Sequence, residues 1–345
     1  MRGMLRLVAG ALLLTGFTTC AALADAAAVG MSAVPGAARA ETTEPTAVDD
    51  VVIGAYIQNI QSIGLATNSF QADVYVWMRW KNPALKPYES LEIMNPYETW
   101  ALTSTPITAE PIPQPDGSQY YAIRYQGGFN TPLDLTEFPF GEQVLTIQVE
   151  DQVSEAKHQR FVLDKDSIAN GPQITVPGYD IGTATIDVVD ATYATNFGDL
   201  NTPGNDVYSR VTISIPVAHP FLSTAVKILL PILLVVVTAS LIFHVPPGLV
   251  EARIGLGITA LLTLVAMQWS TLSGLADLGY LVMLDVLYIV AYFFVVATLI
   301  QSLVTSWKAR AGDEAGAIRI DERSMYVDLA AYLIITGAVM WYYLH

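Results

Sequence analysis

Pro246-Pro247-Gly248-Leu249-Val250-Glu251-Ala252-Arg253-Ile254-Gly255-Leu256-Gly257-Ile258-Thr259-Ala260-Leu261-Leu262-Thr263-Leu264-Val265-Ala266-Met267-Gln268-Trp269-Ser270 is the stretch on which the reading of this chain turns. From Val250 to Leu272 it meets the roughly 20 mostly apolar residues that a bilayer crossing needs. Its charges, Glu251 and Arg253, sit at the entrance, where water can reach them. At the bilayer centre each would cost about 2.5–3.5 kcal/mol. At about 100° per residue, Glu251, Gly255, Thr259, Leu262, Ala266, Trp269 and Ser273 fall within roughly 80° of one another. Arg253 lies about 200° from Glu251, so the two cannot point straight into one lumen. A stripe this small and polar suits a water-filled passage, where a ring of Leu262 side chains can gate by dewetting. It also suits a small-residue face for helix packing.

Three more segments have the length and composition of membrane helices: about Phe221–His244, Tyr280–Val304 and Met325–Leu344. Pro231 falls inside the first, which membrane helices tolerate when neighbours satisfy the freed carbonyl. The connections are short except for Thr305–Ser324. That segment carries Lys308, Arg310, Arg319 and Arg323, with Arg253 on the same side, which marks it as cytoplasmic.

Upstream, between Val51 and Val217, the chain alternates in short runs broken by turn residues. Asp73 to Trp80 is aromatic and β-branched and stops at Asn82-Pro83. Gln119 to Tyr125 follows a Pro-Asp-Gly turn, and Gln143 to Val149, Thr183 to Val189 and Val207 to Val217 alternate in the same way. Many short strands at intervals of roughly ten residues predict a sandwich or barrel. Tyr88 to Trp100 has room for a helical turn. The two-residue period puts Tyr75, Trp77 and Arg79 on one face of a strand and Val76, Met78 and Trp80 on the other. Leaving both Tyr75 and Trp77 to water is costly, so their face is a candidate ligand or subunit surface; a strand buried on both sides is the alternative.

The 345 residues leave room for about two domains. Hydrophobic content of 52% with only 14% charged residues is unusual for a soluble protein. Between Asp25 and Val217 there are 24 Asp/Glu against 9 Lys/Arg, and the whole chain carries −15. Such a surface repels nucleic acid and attracts cations. The single cysteine, Cys20, permits neither an intrachain disulfide nor a cysteine metal cluster. The four histidines, His158, His219, His244 and His345, are too scattered for a metal site, and no cofactor is expected. Gly255 to Ala260 fits a loose G-x-G-x-x-A pattern, but no strand precedes it and no acidic partner follows about 20 residues on, so a dinucleotide site is rejected.

Arg2 and Arg6, the apolar run Leu7 to Phe17 and the small residues Ala22 and Ala24 read as a secretory signal over residues 1–24. Cleavage after Ala40 is the alternative. Residues 25–49 then read as a disordered lead-in, 50–218 as an exported β-domain and 219–345 as the membrane domain. Export and the basic loop agree on one topology, with the sandwich and the C-terminus outside.

Ala252-Arg253-Ile254-Gly255-Leu256-Gly257-Ile258-Thr259, followed by Leu262-Thr263, is very similar to the pore helix of glycine- and GABA-gated channels. Phe138-Pro139-Phe140 resembles the aromatic-Pro-Phe loop of that family, Trp80-Lys81-Asn82-Pro83 the end of its second strand, Pro231 its first-helix proline, and Tyr280 with Asp285 the start of its third helix. From about Val51 onward the chain therefore resembles the pentameric ligand-gated ion channels of the Cys-loop receptor superfamily, in the manner of cysteine-free bacterial members.

The resemblance implies an immunoglobulin-like β-sandwich followed by four helices, assembled as a homopentamer in the bacterial inner membrane. Glu251, Gly255, Thr259, Leu262, Ala266 and Trp269 would line the lumen, with Leu262 as gate. Tyr75, Trp77 and Arg79 would form the complementary side of an intersubunit ligand pocket. Tyr179 would sit on the principal side, Trp100 would stand in the first binding loop, and Tyr193, Phe197 and Tyr208 would flank a capping hairpin turning near Asn201-Thr202-Pro203-Gly204. Such an aromatic cage suits an amine, at about 0.5–2 kcal/mol per ring. Phe138, Pro139, Phe140, His219 and Tyr280 would couple the two domains. The chain departs from the family at Gly141, where an Asp is usual, at Trp100-Ala101-Leu102-Thr103, where a W-x-P-D-like run is usual, and at His219, where an Arg is usual. Histidine is the side chain whose charge ordinarily changes near neutral pH, so protonation of His219 is expected to modulate gating; a neutral, hydrogen-bonded His219 is the alternative. The Gly-Leu-Gly-Ile-Thr run looks like an anion channel. A ring of five Glu251 carboxylates at the narrow mouth attracts cations, and monovalent-cation selectivity is the expectation. The agonist, a small molecule or an ion, stays open. The alternatives are a periplasmic β-sandwich sensor on a four-helix anchor without a pore and, more remotely, a membrane enzyme, for which no nucleophile–base or metal-ligand spacing exists.

Overall fold

The computed structural model describes residues 48–171, 174–198, 200 and 204–345. The expected leader with Cys20, both cleavage sites, most of the lead-in and the hairpin-tip residues Asn201 to Pro203 lie outside the described residues. Asp49, expected to close the lead-in, already opens a strand.

The alternating segments form eleven strands among the described residues: β1 (Asp49–Gly64), β2 (Ser69–Trp80), β3 (Leu91–Ile93), β4 (Thr103–Pro106), β5 (Ile112–Pro113), β6 (Gln119–Asn130), β7 (Gln143–Asp151), β8 (Gln159–Asn170), β9 (Asp180–Ile181), β10 (Thr185–Tyr193) and β11 (Asp206–Ala218). One sheet has the order β4-β6-β2-β1-β8, with β5 beside β6; the other has β10-β11-β7-β3, with β9 beside β11. Val74, Val76, Met78 and Trp80 of the first sheet and Val211, Ile213, Ile215 and Val217 of the second are all buried in one core. The residues between them face outward, as the strand period requires. Between Tyr88 and Trp100 two single turns form, Pro87–Ser90 and Thr99–Ala101. Trp80 and Tyr121 both pack on Tyr88, with ring centroids 5.8 and 4.5 Å away.

Four long helices follow: α1 (Phe221–Ser240), which tightens into a 3₁₀ turn over Leu241–His244, α2 (Val250–Leu272), α3 (Met283–Arg310) and α4 (Glu314–Leu344). All four are long and apolar enough to cross a membrane. Pro231 lies inside α1 without ending it. α3 starts three residues after Tyr280 because the Asp285 carboxylate accepts the Val282 amide at 3.2 Å and sets the first turn. The stretch from Thr305 to Ser324, expected as a connection, is helical except at residues 311–313. Part of its polarity is internal: Thr305, Ser306 and Asp321 are buried, and the two hydroxyls donate to carbonyls of their own helix, whereas Arg310, Arg319 and Arg323 are exposed. Gly312, at φ 98°, turns the chain, and Asp313 caps α4 by accepting the Gly316 amide at 2.9 Å.

α2 packs through Arg253, Gly257, Ala260 and Leu264, all buried. Gly257 is required there, since a Cβ would come within 2.2 Å of Leu299 on α3. The opposite side of α2 is uncovered in the protomer.

Candidate ligand pocket, coupling contact and pore face

At the end of the second sheet, β7 lies between β3 and β11, with Glu150 opposite Glu92 on one side and Arg210 on the other. This register builds a cleft of about 320 Å³ lined by Glu92, Met94, Glu150, Asp151, Gln152, Tyr193, Phe197 and Tyr208. Tyr193 meets Tyr208 edge-on at 5.7 Å and Phe197 at the same separation. Behind the rings, Tyr193 donates its hydroxyl to Glu150 Oε2 at 2.9 Å, Arg210 donates to the Tyr193 oxygen at 3.0 Å, and Arg210 Nε also bonds Glu150 Oε1. Asp151 is satisfied too, by the Ser90 hydroxyl, the Gln159 amide group and the backbone amides of Val153 and Ser154. The Glu92 carboxylate has no hydrogen bond or ion pair among the described residues, and the residue is exposed. Burial pushes the Tyr208 phenol up, and the charges of Asp206, Glu155, Glu150 and Asp151 push it further. The cleft thus combines aromatic faces with a negative field, a combination that receives cations.

Tyr75, Trp77 and Arg79 stand on the outward face of the first sheet and do not line this cleft. Gly54 makes room for Trp77: a Cβ there would sit 2.3 Å from the indole ring. The Trp77 N–H reaches Asp164 Oδ2 at 3.1 Å, and Arg79 reaches Oδ1 at 2.6 Å. Burial alone would raise the Asp164 carboxyl, but bonds from Trp77 and the Lys165 amide and the Arg79 charge hold it below the ordinary aspartate range. Tyr75 lies under the Arg124 guanidinium, 5.3 Å from its ring centroid, and Arg124 is in turn clamped by Asp73. The two sets of residues occupy different sheets, so one chain does not join them into a single cage.

Two of the candidate ligand residues stand elsewhere. Trp100 is 85% exposed and does not line the cleft. Tyr179 is held at the far end of β11, because β9 beside it pairs with Val217 and Ala218, whereas Tyr208 pairs with Ala191 near the other end. Tyr179 stacks on His219 at 4.1 Å, and His219 Nδ1 donates to the Gly178 carbonyl at 2.7 Å. It therefore belongs with the junction between sandwich and helices. Glu92, Glu150, Asp151 and Arg210 went unread in the sequence, since only strand register brings them together.

At that junction the candidate coupling residues meet. The Phe138-Pro139 bond is cis. Met283 and Leu284, which open α3, donate their amides to the Thr136 and Phe138 carbonyls at 2.9 and 3.3 Å. The Tyr280 hydroxyl accepts the Leu135 amide at 3.2 Å. Phe140 packs on Phe221 at 4.8 Å, and Phe138 approaches His219 edge-on at 6.4 Å.

On α2, Glu251, Gly255, Thr259, Leu262, Ala266, Trp269 and Ser273 are all exposed in the protomer. Leu262 is 65% and Trp269 81% exposed, although both are large and apolar. Thr259 donates to the Gly255 carbonyl at 2.8 Å, and an added Cβ at Gly255 would meet nothing within 4 Å.

No protein-family model matches the chain. Among curated proteins it is similar to the glycine receptor subunit beta of Rattus norvegicus, 23% identical over 281 residues that cover 74% of this chain and 54% of the receptor subunit. It is 20% identical over 295 residues to a proton-gated ion channel of Gloeobacter violaceus, covering 81% of this chain and 79% of that protein. It is 22% identical over 199 residues to a glutamate-gated chloride channel of Drosophila melanogaster, covering 57% and 41%. The chain spans about half the length of the glycine receptor subunits it matches. A β-sandwich bonded to four apolar helices through the aromatic-Pro-Phe loop, together with these relatives, makes the chain similar in sequence and architecture to the pentameric ligand-gated ion channels of the Cys-loop receptor superfamily.

Proposed function

We propose that five copies of this chain surround a cation-conducting pore in a bacterial inner membrane, opened by an agonist bound between neighbouring sandwiches. The observation that carries this reading is α2: one face is filled by α3 and its neighbours, while the face with Glu251, Gly255, Thr259 and Leu262 is uncovered. Lipid favours a uniformly large apolar surface, and this face does not offer one. In a ring, Glu251 places five carboxylates at the inner mouth, Leu262 forms the apolar gate, and the sandwich and C-terminus lie outside. Apposition of the Tyr75–Trp77–Arg79 face of one subunit to the Tyr193–Tyr208 cleft of the next completes the cage that one chain leaves open. The uncommitted Glu92 and the tyrosine rings favour an amine as agonist. The relatives named above include both a chloride channel and a proton-gated channel, so selectivity has to come from this chain's own charges.

The test is current from the purified full chain in a planar bilayer under a sodium chloride gradient, with a small-amine panel and stepped pH. A reversal potential tracking sodium supports the reading, and Glu251→Ala moves it toward zero. A reversal potential tracking chloride overturns cation selectivity. Absence of current under every condition favours the anchored sensor.

A further inference from the structure

Arg253 is the largest fully buried side chain of the described residues, 1% exposed, and it sits only two residues after Glu251. A guanidinium has five N–H donors. All five are used: Nε and one Nη2 hydrogen go to the Val245 carbonyl, Nη1 goes to Thr305 Oγ1 at 2.9 Å and the Ser302 carbonyl at 3.5 Å, and Nη2 goes to Asp321 Oδ2 at 2.6 Å. The segment before α2, α3 and α4 therefore close on one side chain. Four of the five bonds go to neutral oxygens. Only Asp321, itself 1% exposed, neutralises the charge. Its second oxygen, Oδ1, is buried without a hydrogen-bond partner. The carboxylate is thus committed to Arg253.

We infer that Asp321, on the helix farthest in sequence from the pore helix, is a selectivity-determining residue. It cancels the Arg253 charge inside the protein, so that Glu251 alone sets the potential at the inner mouth. This rests on the channel reading. A charge buried in a poorly polarisable medium is weakly screened and acts over a longer distance than one in water. Five uncompensated Arg253 charges behind the lumen wall would offset five Glu251 charges on it. Per subunit, the group Glu251–Arg253–Asp321 carries −1. It falls to 0 without the Asp321 charge and rises to +1 when the Glu251 charge is also removed. The sequence around Gly255 looks like that of an anion channel, and Asp321 is what separates this chain's electrostatics from that pattern.

The experiment is reversal-potential measurement on the full-length channel in a dilution gradient. Asp321→Asn is expected to lower the sodium-to-chloride permeability ratio by at least about tenfold, since a unit charge roughly 10 Å away at an effective dielectric near 20 has that effect on one ion and the opposite effect on the other. Adding Glu251→Gln is expected to reverse the sign. Arg253→Met with Asp321→Leu removes a neutral pair while keeping its bulk, and is expected to hold the ratio within about twofold of wild type. An unchanged ratio in Asp321→Asn overturns the inference. Should that variant not assemble, the double replacement decides: a marked gain in cation preference would mean that the lumen already feels Arg253. These failures differ from failure of the channel reading, in which the unmodified protein carries no current.

Discussion

Two arginines, Arg210 in the sandwich and Arg253 in the helical bundle, each meet a carboxylate, and the difference between them separates a movable contact from a fixed one. Arg210 is 24% exposed at the root of the capping hairpin, and it shares Glu150 with the Tyr193 hydroxyl. Water reaches the guanidinium, and Glu150 beneath it, 3% exposed, is shared between two donors, so neither bond is its sole partner. Arg253 and Asp321 are each 1% exposed and sealed by three segments of the membrane domain. Opening that pair strands a charge where nothing replaces its partner. The first arrangement suits a site that must respond to a ligand. The second suits a joint that holds α2 and α4 in register while the face of α2 with Glu251 and Leu262 stays uncovered.

The comparison can be broken at its strong end first. Asp321→Ala is expected to cost about 3–5 kcal/mol of stability, seen as a lowered melting temperature of the detergent-solubilised protein, and Arg253→Met with Asp321→Leu should restore most of it. If Asp321→Ala melts like wild type, the joint is not a joint. In the sandwich the expected loss is smaller and has a functional signature. Tyr193→Phe removes the hydroxyl's bond to Glu150, which keeps its Arg210 partner, a loss of about 0.5–1.5 kcal/mol. It is expected to shift the half-maximal agonist concentration by about tenfold with little change in melting. A melting change without a potency change would make the triad structural only. At the weak end, Lys86 and Glu89 form an ion pair whose side chains are 59% and 56% exposed. Lys86→Met is expected to leave both readouts unchanged, because exposed pairs give up in side-chain entropy and screening what they gain.

Much of the architecture is legible in the chain itself. The bounds of α2, the two faces of β2 and the alternation in β11 follow from side-chain period, a local property. The small, hydroxylated stripe could be read because every residue on it belongs to one helix. The candidate ligand site was half legible. The family resemblance implies Tyr193, Phe197 and Tyr208 around a capping hairpin, and it implies Tyr179 in the same pocket. Two strand-pairing partners, Val217 and Ala218, carry Tyr179 to the other end of the sheet. The stretch from Thr305 to Ser324 reads as a loop because it is polar; in the fold Thr305 and Asp321 reach Arg253 and Ser306 bonds its own helix backbone, while Arg310, Arg319 and Arg323 stay exposed on the two helices.

By itself, the sequence determined the number of membrane helices, the face of α2 that no neighbour would cover and the strand-rich character of the first half. All three depend on periodicity and on hydrophobic length, which operate within about 20 residues. Tertiary structure alone decided which charges remain active. Arg210 meets Glu150 across 60 positions, and Arg253 meets Asp321 across 68. Whether a charge is cancelled depends on what lies within a few ångströms of it in space, and no local pattern encodes that.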